Sequence, residues 1–314
     1  MLRILERGQI ESSARRAIPR IRRPDRNGVF SARAGRLRQL GEGGAIGHSI
    51  AGYLHLMATL AEAQQAALAH FEMRSPADKD MVQARSHGMP PVPATDWARD
   101  PQWRLVLGEL CETLAAQPDV PDDVREVLVR LHRARPEELE RQAEILLDAR
   151  AREFDVAAAP FLAAALQVYG TDLASRIAAD ASNEVAVPGV CPMCGSLPVA
   201  SVVRTDSHSD GFRYLHCALC ATEWHMVRVT CSHCQSTRGI TYQSIEGGPE
   251  AIRAECCDEC HTYRKISYQE KDSHAEPLAD DLASLALDLL LAEAGYHRAS
   301  GNPLLWQARP EDGG

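Results

Sequence analysis

Residues 191–260 decide the fold of this chain, and they contain four Cys-x-x-Cys pairs: Cys191-Pro-Met-Cys194, Cys217-Ala-Leu-Cys220, Cys231-Ser-His-Cys234 and Cys257-Asp-Glu-Cys260. The third pair lies 40 residues after the first (191 to 231), and the fourth lies 40 residues after the second (217 to 257). The pattern C-x2-C-x22-C-x2-C is therefore written twice. A repeat of one small structural unit is the simplest explanation, and the spacing within each unit is typical of a four-thiolate metal site.

The two cysteines of a pair are three positions apart, so a tight turn between them can aim both sulfur atoms at one ion. A second such turn completes a tetrahedron, with metal–sulfur distances of about 2.3 Å for zinc. Gly195 follows the first turn and suits the positive φ that ends it. Because the repeat demands equivalent sites, we predict two ligand sets. They are Cys191, Cys194, Cys217 and Cys220 at site 1, and Cys231, Cys234, Cys257 and Cys260 at site 2.

Three alternatives concern the same cysteines. The second pair could join the third, with only residues 221–230 between them. The cysteines could instead form disulfides, although disulfides are more typical of small secreted domains than of a large chain. Four thiolates also bind a single iron ion as in rubredoxin, and nothing in the spacing separates iron from zinc.

Two cysteines and several histidines lie outside the repeat. Cys256 precedes a ligand, but the period of 40 selects Cys257. Cys111 is expected to be a buried small hydrophobic residue. We interpret the nearby histidines as ordinary strand and turn residues, because eight cysteines already complete two sets; they are His208, His216, His225, His233 and His261.

The segments between the pairs read as short strands rich in β-branched and aromatic residues, such as Val199–Val203 and Tyr263–Tyr268. Each repeat is thus predicted to be a rubredoxin-like or zinc-ribbon unit. A unit this small has too little apolar core to fold alone. A structural metal would supply the deficit.

The rest of the chain has a helical pattern, and the predicted fold class is α+β. We expect an Arg-rich flexible arm (1–43), an all-helical domain (44–185), a first ribbon (186–229), a second ribbon (230–272), and a C-terminal helix with a tail (273–314). In the last segment Pro277 opens the helix, Gly295 ends it, and Leu282, Leu285, Leu289 and Leu290 are its expected buried residues.

Charge and hydropathy exclude some functions. The net charge of −9 argues against general nucleic-acid binding. It is unevenly spread, since residues 1–40 carry eleven arginines against three acidic residues. No run of 18 apolar residues exists, so no membrane insertion is expected. No apolar segment follows the arginine pairs at 15–16 and 22–23, so a twin-arginine export signal is not indicated and a cytoplasmic location is expected.

Three function classes remain, and none of them is an enzyme, because no catalytic motif is found and two closed four-cysteine sets leave no open metal position. The first class is an assembly or maturation factor. The second is a small-metal electron-transfer protein. The third is a nucleic-acid-binding ribbon protein, which the ribbon region's net charge of −2 (seven basic against nine acidic residues at 188–270) does not favour.

The residues resemble the FdhE family of formate dehydrogenase accessory proteins. The resemblance rests on Cys191-Pro-Met-Cys-Gly-Ser-Leu-Pro198, Leu215-His-Cys-Ala-Leu-Cys-Ala-Thr-Glu-Trp224, Val227-Arg-Val-Thr-Cys-Ser-His-Cys234 and Cys257-Asp-Glu-Cys-His-Thr-Tyr-Arg-Lys265. It continues through Ala279–Asp288 and Gly295–Pro303. It covers about residues 50–305, so the Arg-rich arm lies outside it.

The resemblance implies a cytoplasmic protein, not itself an enzyme, that binds the catalytic subunit of an exported respiratory formate dehydrogenase and is needed for its activity. It implies two metal ions per chain on the eight cysteines, with rubredoxin-like iron favoured and zinc as the other candidate. No nucleic-acid partner is implied, and a homo-oligomer is compatible with the residues.

Overall fold

A computed structural model describes residues 18–95, 98–148, 155–177, 188–206 and 209–305. Arg15-Arg16, residues 178–187, His208 and the end of the C-terminal tail lie outside these ranges. Within them the chain forms nine helices: α1 (Val29–Glu42), α2 (Gly44–His70), α3 (Asp78–Ser86), α4 (Gln102–Ala115), α5 (Asp122–Arg133), α6 (Pro136–Leu147), α7 (Ala159–Arg176), α8 (Pro277–Ala283) and α9 (Leu285–Glu293). The helical N-terminal region and the sheet-rich C-terminal region confirm the α+β fold class.

Helix α7 lies at the centre of the helical region. Its residues are buried on all sides from Ala159 to Ala174, as in a core helix whose residues are mostly apolar. Helices α2, α4 and α6 pack against it. Helix α5 begins directly after Pro121 and α6 begins at Pro136, and both have two acidic residues in the first turn. Proline and acidic residues at these positions favour the start of a helix.

The two cysteine repeats form one sheet. Its strands are β1 (Ile21–Arg22), β2 (Pro198–Val203), β3 (Arg213–Cys217), β4 (Glu223–His225), β5 (Ile240–Gln243), β6 (Ile252–Cys257), β7 (Thr262–Tyr268) and β8 (His297–Arg298). The order is β1-β4-β3-β2-β7-β6-β5, with β8 added beside β7. The first repeat supplies β2–β4 and the second supplies β5–β7. The repeats join through a parallel pairing of β2 with β7, in which Ser201 lies opposite Ile266.

One hydrophobic core runs from the helices into the first ribbon. It includes Phe30 and Leu54 from the helices, and Leu215 and Trp224 from the first ribbon. A second, smaller cluster lies between β6, β7 and α9; its buried members are Ile252, Ala254, Cys256, Tyr263, Leu287 and Leu291. The first ribbon is therefore part of the main core, whereas the second ribbon is packed mainly by the C-terminal helix.

The Arg-rich segment is not a flexible arm where the structure describes it. Residues 29–42 form α1, which packs along α2, and β1 pairs with β4. The expectation was wrong because the arginines were taken as solvated charges. Arg33 and Arg36 are buried instead, and they pair with the buried carboxylates of Glu276 and Asp280. Residues 1–17 lie outside the described ranges.

The C-terminal helix is two helices, broken at Ser284. The Ser284 hydroxyl donates to the carbonyl of Asp280 at 2.7 Å, and the backbone leaves the helical region there. The break changes which face of the second segment meets the sheet. Leu282 is buried as expected, but Leu289 and Leu290 are exposed by 69% and 50%, and Leu287 and Leu291 are buried in their place. Gly295, with φ +85°, follows the second helix.

Among the helices of the described residues, none combines the length and the apolarity that crossing a bilayer requires. The division of the chain at residues 43, 185, 229 and 272 stays a prediction.

Candidate metal sites

The structure brings Cys191, Cys194, Cys217 and Cys220 into one cluster. All four Sγ atoms lie within 4.8 Å of one another. The Sγ atoms of Cys191 and Cys220 are 3.6 Å apart, and those of Cys194 and Cys217 are 3.4 Å apart. Four sulfurs at 2.3 Å from a tetrahedral ion would be about 3.8 Å apart. The cluster therefore fits a tetrahedral metal ion with little adjustment.

The second cluster contains Cys231, Cys234, Cys257 and Cys260, with the same limit of 4.8 Å between Sγ atoms. The Cys231–Cys260 and Cys234–Cys257 Sγ distances are both 3.7 Å. Each cluster thus joins the two pairs of one repeat, and the alternative pairing of the second pair with the third is not what the structure forms. All ten cysteines are free thiols in the structure, so the disulfide alternative is not formed either.

All four Cys-x-x-Cys turns end in the same way. The residue after each second cysteine has a positive φ: 77° at Gly195, 55° at Ala221, 64° at Gln235 and 53° at His261. The first of these was expected from the glycine. At the other three the conformation is uncommon for a residue with a side chain, so the turns are maintained by the groups around the sulfurs rather than by intrinsic preference.

Backbone amides and threonine hydroxyls face the sulfurs. The amides of Leu219 and Cys220 donate to Cys217 Sγ at 3.4 Å, and those of His233 and Cys234 donate to Cys231 Sγ at the same distance. Such donors stabilise a thiolate. They give each cluster the partners that a negatively charged four-thiolate site needs.

Thr222 and Thr262 have the same role in the two repeats. Their Oγ1 atoms lie 3.2 Å from Cys220 Sγ and 3.1 Å from Cys260 Sγ. The period of 40 places these two residues at equivalent positions, but their contact with sulfur was not predicted from the sequence. A hydroxyl two residues after the last cysteine of each repeat was the available signal.

The thiols of the first cluster are deeply buried, and burial raises the pKa of Cys191 and of Cys217. A bound cation reverses this by stabilising the thiolates, and its binding releases protons. Four thiolates are the ligands that a soft or borderline cation such as iron or zinc prefers. The geometry does not distinguish the two.

The other candidate ligands do not enter the clusters. Cys256 lies in the smaller hydrophobic cluster, on β6 between Thr241 of β5 and Tyr263 of β7. His216 pairs with Glu223, with 3.1 Å between Nδ1 and Oε1. Among the described residues, no histidine belongs to either group of potential ligands. Cys111 is buried in the helical core, as expected.

A buried ionic network joins the two ribbons beside the clusters. Arg213 pairs with Glu255 at 2.8 Å between its Nη2 and the carboxylate, and both side chains are almost fully buried. Arg264 donates from Nε to Ser232 Oγ at 2.7 Å. Burial, together with the Arg213 guanidinium, lowers the pKa of Arg264 to about 9. These groups fix the second repeat against the first, and sequence reasoning did not identify them.

The fold and the two clusters define a class of α+β protein, in which tandem four-cysteine metal-binding ribbons share one sheet and are fused to a helical region. Family comparison narrows this class. The FdhE N-terminal model matches residues 18–187, the FdhE central domain matches residues 190–228, and the FdhE C-terminal domain matches residues 229–305. The chain belongs to the FdhE family.

Individual relatives agree with this assignment. A protein FdhE homolog of Cronobacter sakazakii is 39% identical over 314 residues and covers 99% of both chains. A protein FdhE homolog of Yersinia pestis is 40% identical over 279 residues, 88% of each chain. The crystal structure of the FdhE protein from Pseudomonas aeruginosa matches with a TM-score of 0.78 and 37% identity, covering 94% of this chain and 100% of that one. The similarity begins before residue 50, so placing the Arg-rich segment outside it was wrong.

Proposed function

We propose that this protein is a cytoplasmic accessory factor that binds the catalytic subunit of an exported respiratory formate dehydrogenase and is needed for that enzyme's activity. Membership of the FdhE family supports the choice of client. The observation that carries the proposal is the pair of closed four-cysteine clusters in one sheet, backed by a helical region. In such an arrangement, bound metal ions would hold the ribbons rigid, and the ribbons would offer a surface for a partner protein.

The expected coordination supports a role without catalysis. A catalytic metal keeps one position for water or substrate, whereas four thiolates occupy all positions of a tetrahedral ion. In each cluster a substrate would have to displace a cysteine. We therefore assign the clusters to holding the ribbons, and the exposed surface of the ribbons to contact with the client.

The eight cysteines would hold two metal ions, one for each repeat. Iron would supply a one-electron redox couple, whereas zinc would have the structural role of holding the cysteine turns together. The chain's own contribution is the same for either ion: the turns aim the sulfurs, and the amides and threonine hydroxyls stabilise the thiolates. Metal analysis and the visible spectrum of anaerobically purified protein distinguish the two metals. We expect two metal ions per chain. If the metal is iron, the protein should be coloured and should lose its colour on addition of a reductant.

The client is tested by co-purification. We expect an affinity-tagged formate dehydrogenase catalytic subunit to capture the wild-type protein from a co-expressing strain. A strain lacking the protein should lose respiratory formate dehydrogenase activity and regain it with the wild-type gene. The double variant Cys217→Ser/Cys257→Ser changes both clusters. If it still folds, it should bind the subunit more weakly.

The matched control is Cys111→Ser, a cysteine of the helical core outside both clusters. It should retain binding once folding is verified by circular dichroism. A folded, metal-loaded wild-type protein that neither captures the subunit nor restores activity would contradict the proposed client. Unchanged binding by a folded double variant would contradict the use of the ribbons in docking.

A further inference from the structure

The two clusters have the same internal geometry but different residues inside their turns. In the first, the residues between the cysteines are Pro192-Met193 and Ala218-Leu219, whereas in the second they are Ser232-His233 and Asp258-Glu259. Apolar residues inside a turn can be covered by the rest of the molecule, and charged residues stay in water. The two sites therefore have the same cysteine spacing but differ in the polarity of the residues inside their turns.

The helical region covers the first cluster. Helix α7 approaches it so closely that a Cβ built on Gly170 would lie 3.3 Å from Leu219 and 3.4 Å from Cys220. Gln167 of the same helix donates to the carbonyl of Ala218 at 2.8 Å. All four cysteines of this cluster are at most 2% exposed.

A loop closes the first cluster from another direction. The amide of Val92 donates to the Met193 carbonyl at 3.1 Å, and the amide of Ala94 donates to the Cys194 carbonyl at 2.9 Å. Met193 is fully buried. Opening this site therefore requires the loop or α7 to separate from the ribbon, which breaks contacts of the main core.

The second cluster is open on one side. Cys231 and Cys257 are buried, but Cys234 is exposed and Cys260 is partly exposed. The residues around them, His233, Gln235, Asp258 and Glu259, are exposed as well. The equivalent of Cys234 in the first repeat is Cys194, which is buried. Among the described residues, no loop or helix covers the sulfur of Cys234 as the loop and α7 cover the first cluster.

We propose that the second cluster is an exchange site, at which a small external thiol or chelator reaches the metal through Cys234, while the first cluster retains its metal. With a metal ion held by the four cysteines, an incoming thiol would form one metal–sulfur bond and the metal–sulfur bond to Cys234 would break. The proton of the incoming thiol would pass to the Cys234 sulfur. No oxidant or reductant takes part. The site can be measured on the isolated protein and needs no client.

The test is metal release from protein loaded with Zn²⁺, followed with the coloured chelator 4-(2-pyridylazo)resorcinol. We expect one zinc per chain to leave about tenfold or more faster than the other, because local opening costs more in the core than at the surface. At the end of the fast phase, N-ethylmaleimide and peptide mass mapping should find the label on the second cluster only; its cysteines are Cys231, Cys234, Cys257 and Cys260.

Two variants assign the phases. Cys234→Ser should remove the fast zinc and leave the slow zinc with an unchanged rate. Cys194→Ser is its counterpart in the first repeat and should affect the slow zinc and the stability of the fold. If Cys194→Ser does not fold, the labelling of the wild-type protein still decides. Release in a single phase with equal labelling of both clusters, or labelling of the first cluster before the second, would overturn the proposal.

Discussion

Arginine side chains of the N-terminal segment form ion pairs with residues distant in sequence. Arg22 lies 2.7 Å from the Asp206 carboxylate and 3.3 Å from that of Glu223, and Arg26 pairs with Asp172 on α7. Farther along, α1 reaches the C-terminal helix α8 through its own buried arginines. Several arginines of the described part of this segment are thus used in contacts within the fold.

Removing Arg36 should destabilise the protein strongly. Its Nε lies 2.7 Å from Asp280, which is 1% exposed, and burial raises the pKa of that carboxyl to about 7. Arg36→Ala leaves this acid buried without its partner, which costs about 3–5 kcal/mol in comparable cases. The measurement is the free energy of unfolding in urea at pH 7.

The control lies on the same helix. Arg38 pairs with Glu62, and both side chains are about half exposed (42% and 51%). Arg38→Ala should cost at most about 1 kcal/mol, as exposed pairs do. Equal losses for the two variants would show that the buried pair contributes no more than the exposed one.

Glu223 should make the protein sensitive to acid. Burial by itself would raise the pKa of this carboxyl, but the Arg204 guanidinium and His216 outweigh burial and hold it well below its usual value near 4.5. A pKa that is lower in the folded state gives stability that is present above pH 4.5 and is lost as the pH falls through the folded value.

The variant Glu223→Gln removes this contribution. It should be less stable than the wild type at pH 7, and the gap between the two unfolding midpoints should narrow as the pH falls below 4.5. Glu62→Gln, at an exposed carboxylate, is the matched control and should stay close to the wild type at every pH. A gap that is constant from pH 7 to acid would contradict the role given to Glu223.

At the scale of elements, α7 packs closely against the first ribbon. Gly170 is buried where α7 meets the turn that contains Leu219. The helical conformation does not favour glycine at this position, because glycine destabilises a helix by about 1 kcal/mol relative to alanine. Close approach of the turn is what requires the missing side chain.

Gly170→Val should therefore push α7 away from the ribbon. Overpacking of this kind costs roughly 1–3 kcal/mol, and the first cluster should release its zinc faster. Gly52→Val is the control, because a Cβ at Gly52 of α2 meets nothing within 4 Å. Thermal unfolding and the zinc-release assay give the two readouts. Unchanged stability and unchanged release in Gly170→Val would contradict the tight contact.

At the scale of the whole molecule, the helical region and the first ribbon share one core. Helix α7, Met193 and Leu215 are members of the same hydrophobic cluster, and β1 adds a strand from the N-terminal segment to the edge of the sheet at β4. The first ribbon thus shares its core with the helical region, and its folding as a separate domain stays a prediction.

A fragment of residues 188–305 should not behave as a compact protein. It would expose the ribbon face that now packs on the helices, and exposed apolar patches of this kind lead to association. We expect aggregation or rapid proteolysis from the first repeat, measured by size-exclusion chromatography and limited trypsin digestion. A monomeric, protease-resistant fragment with two metals would show that the ribbons fold without the helices.

Local patterns in the sequence determined much of this protein. The period of 40 selected eight cysteines, and the structure collects those residues into two clusters. Helix starts at Pro121 and Pro136, and the strands between the cysteine pairs, followed from signals a few residues long. Such signals depend on neighbours in the sequence, so these elements could be predicted without knowledge of the tertiary structure.

Tertiary structure decided the rest. The pairing of β2 with β7, the partners of Arg33 and Arg36, and the break at Ser284 depend on residues far apart in the chain or on which face meets the sheet. The different exposure of Cys194 and Cys234 belongs here too. The two copies of the motif are equivalent in cysteine spacing, but α7 and the loop that contains Val92 and Ala94 pack on the first copy alone and bury its cysteines.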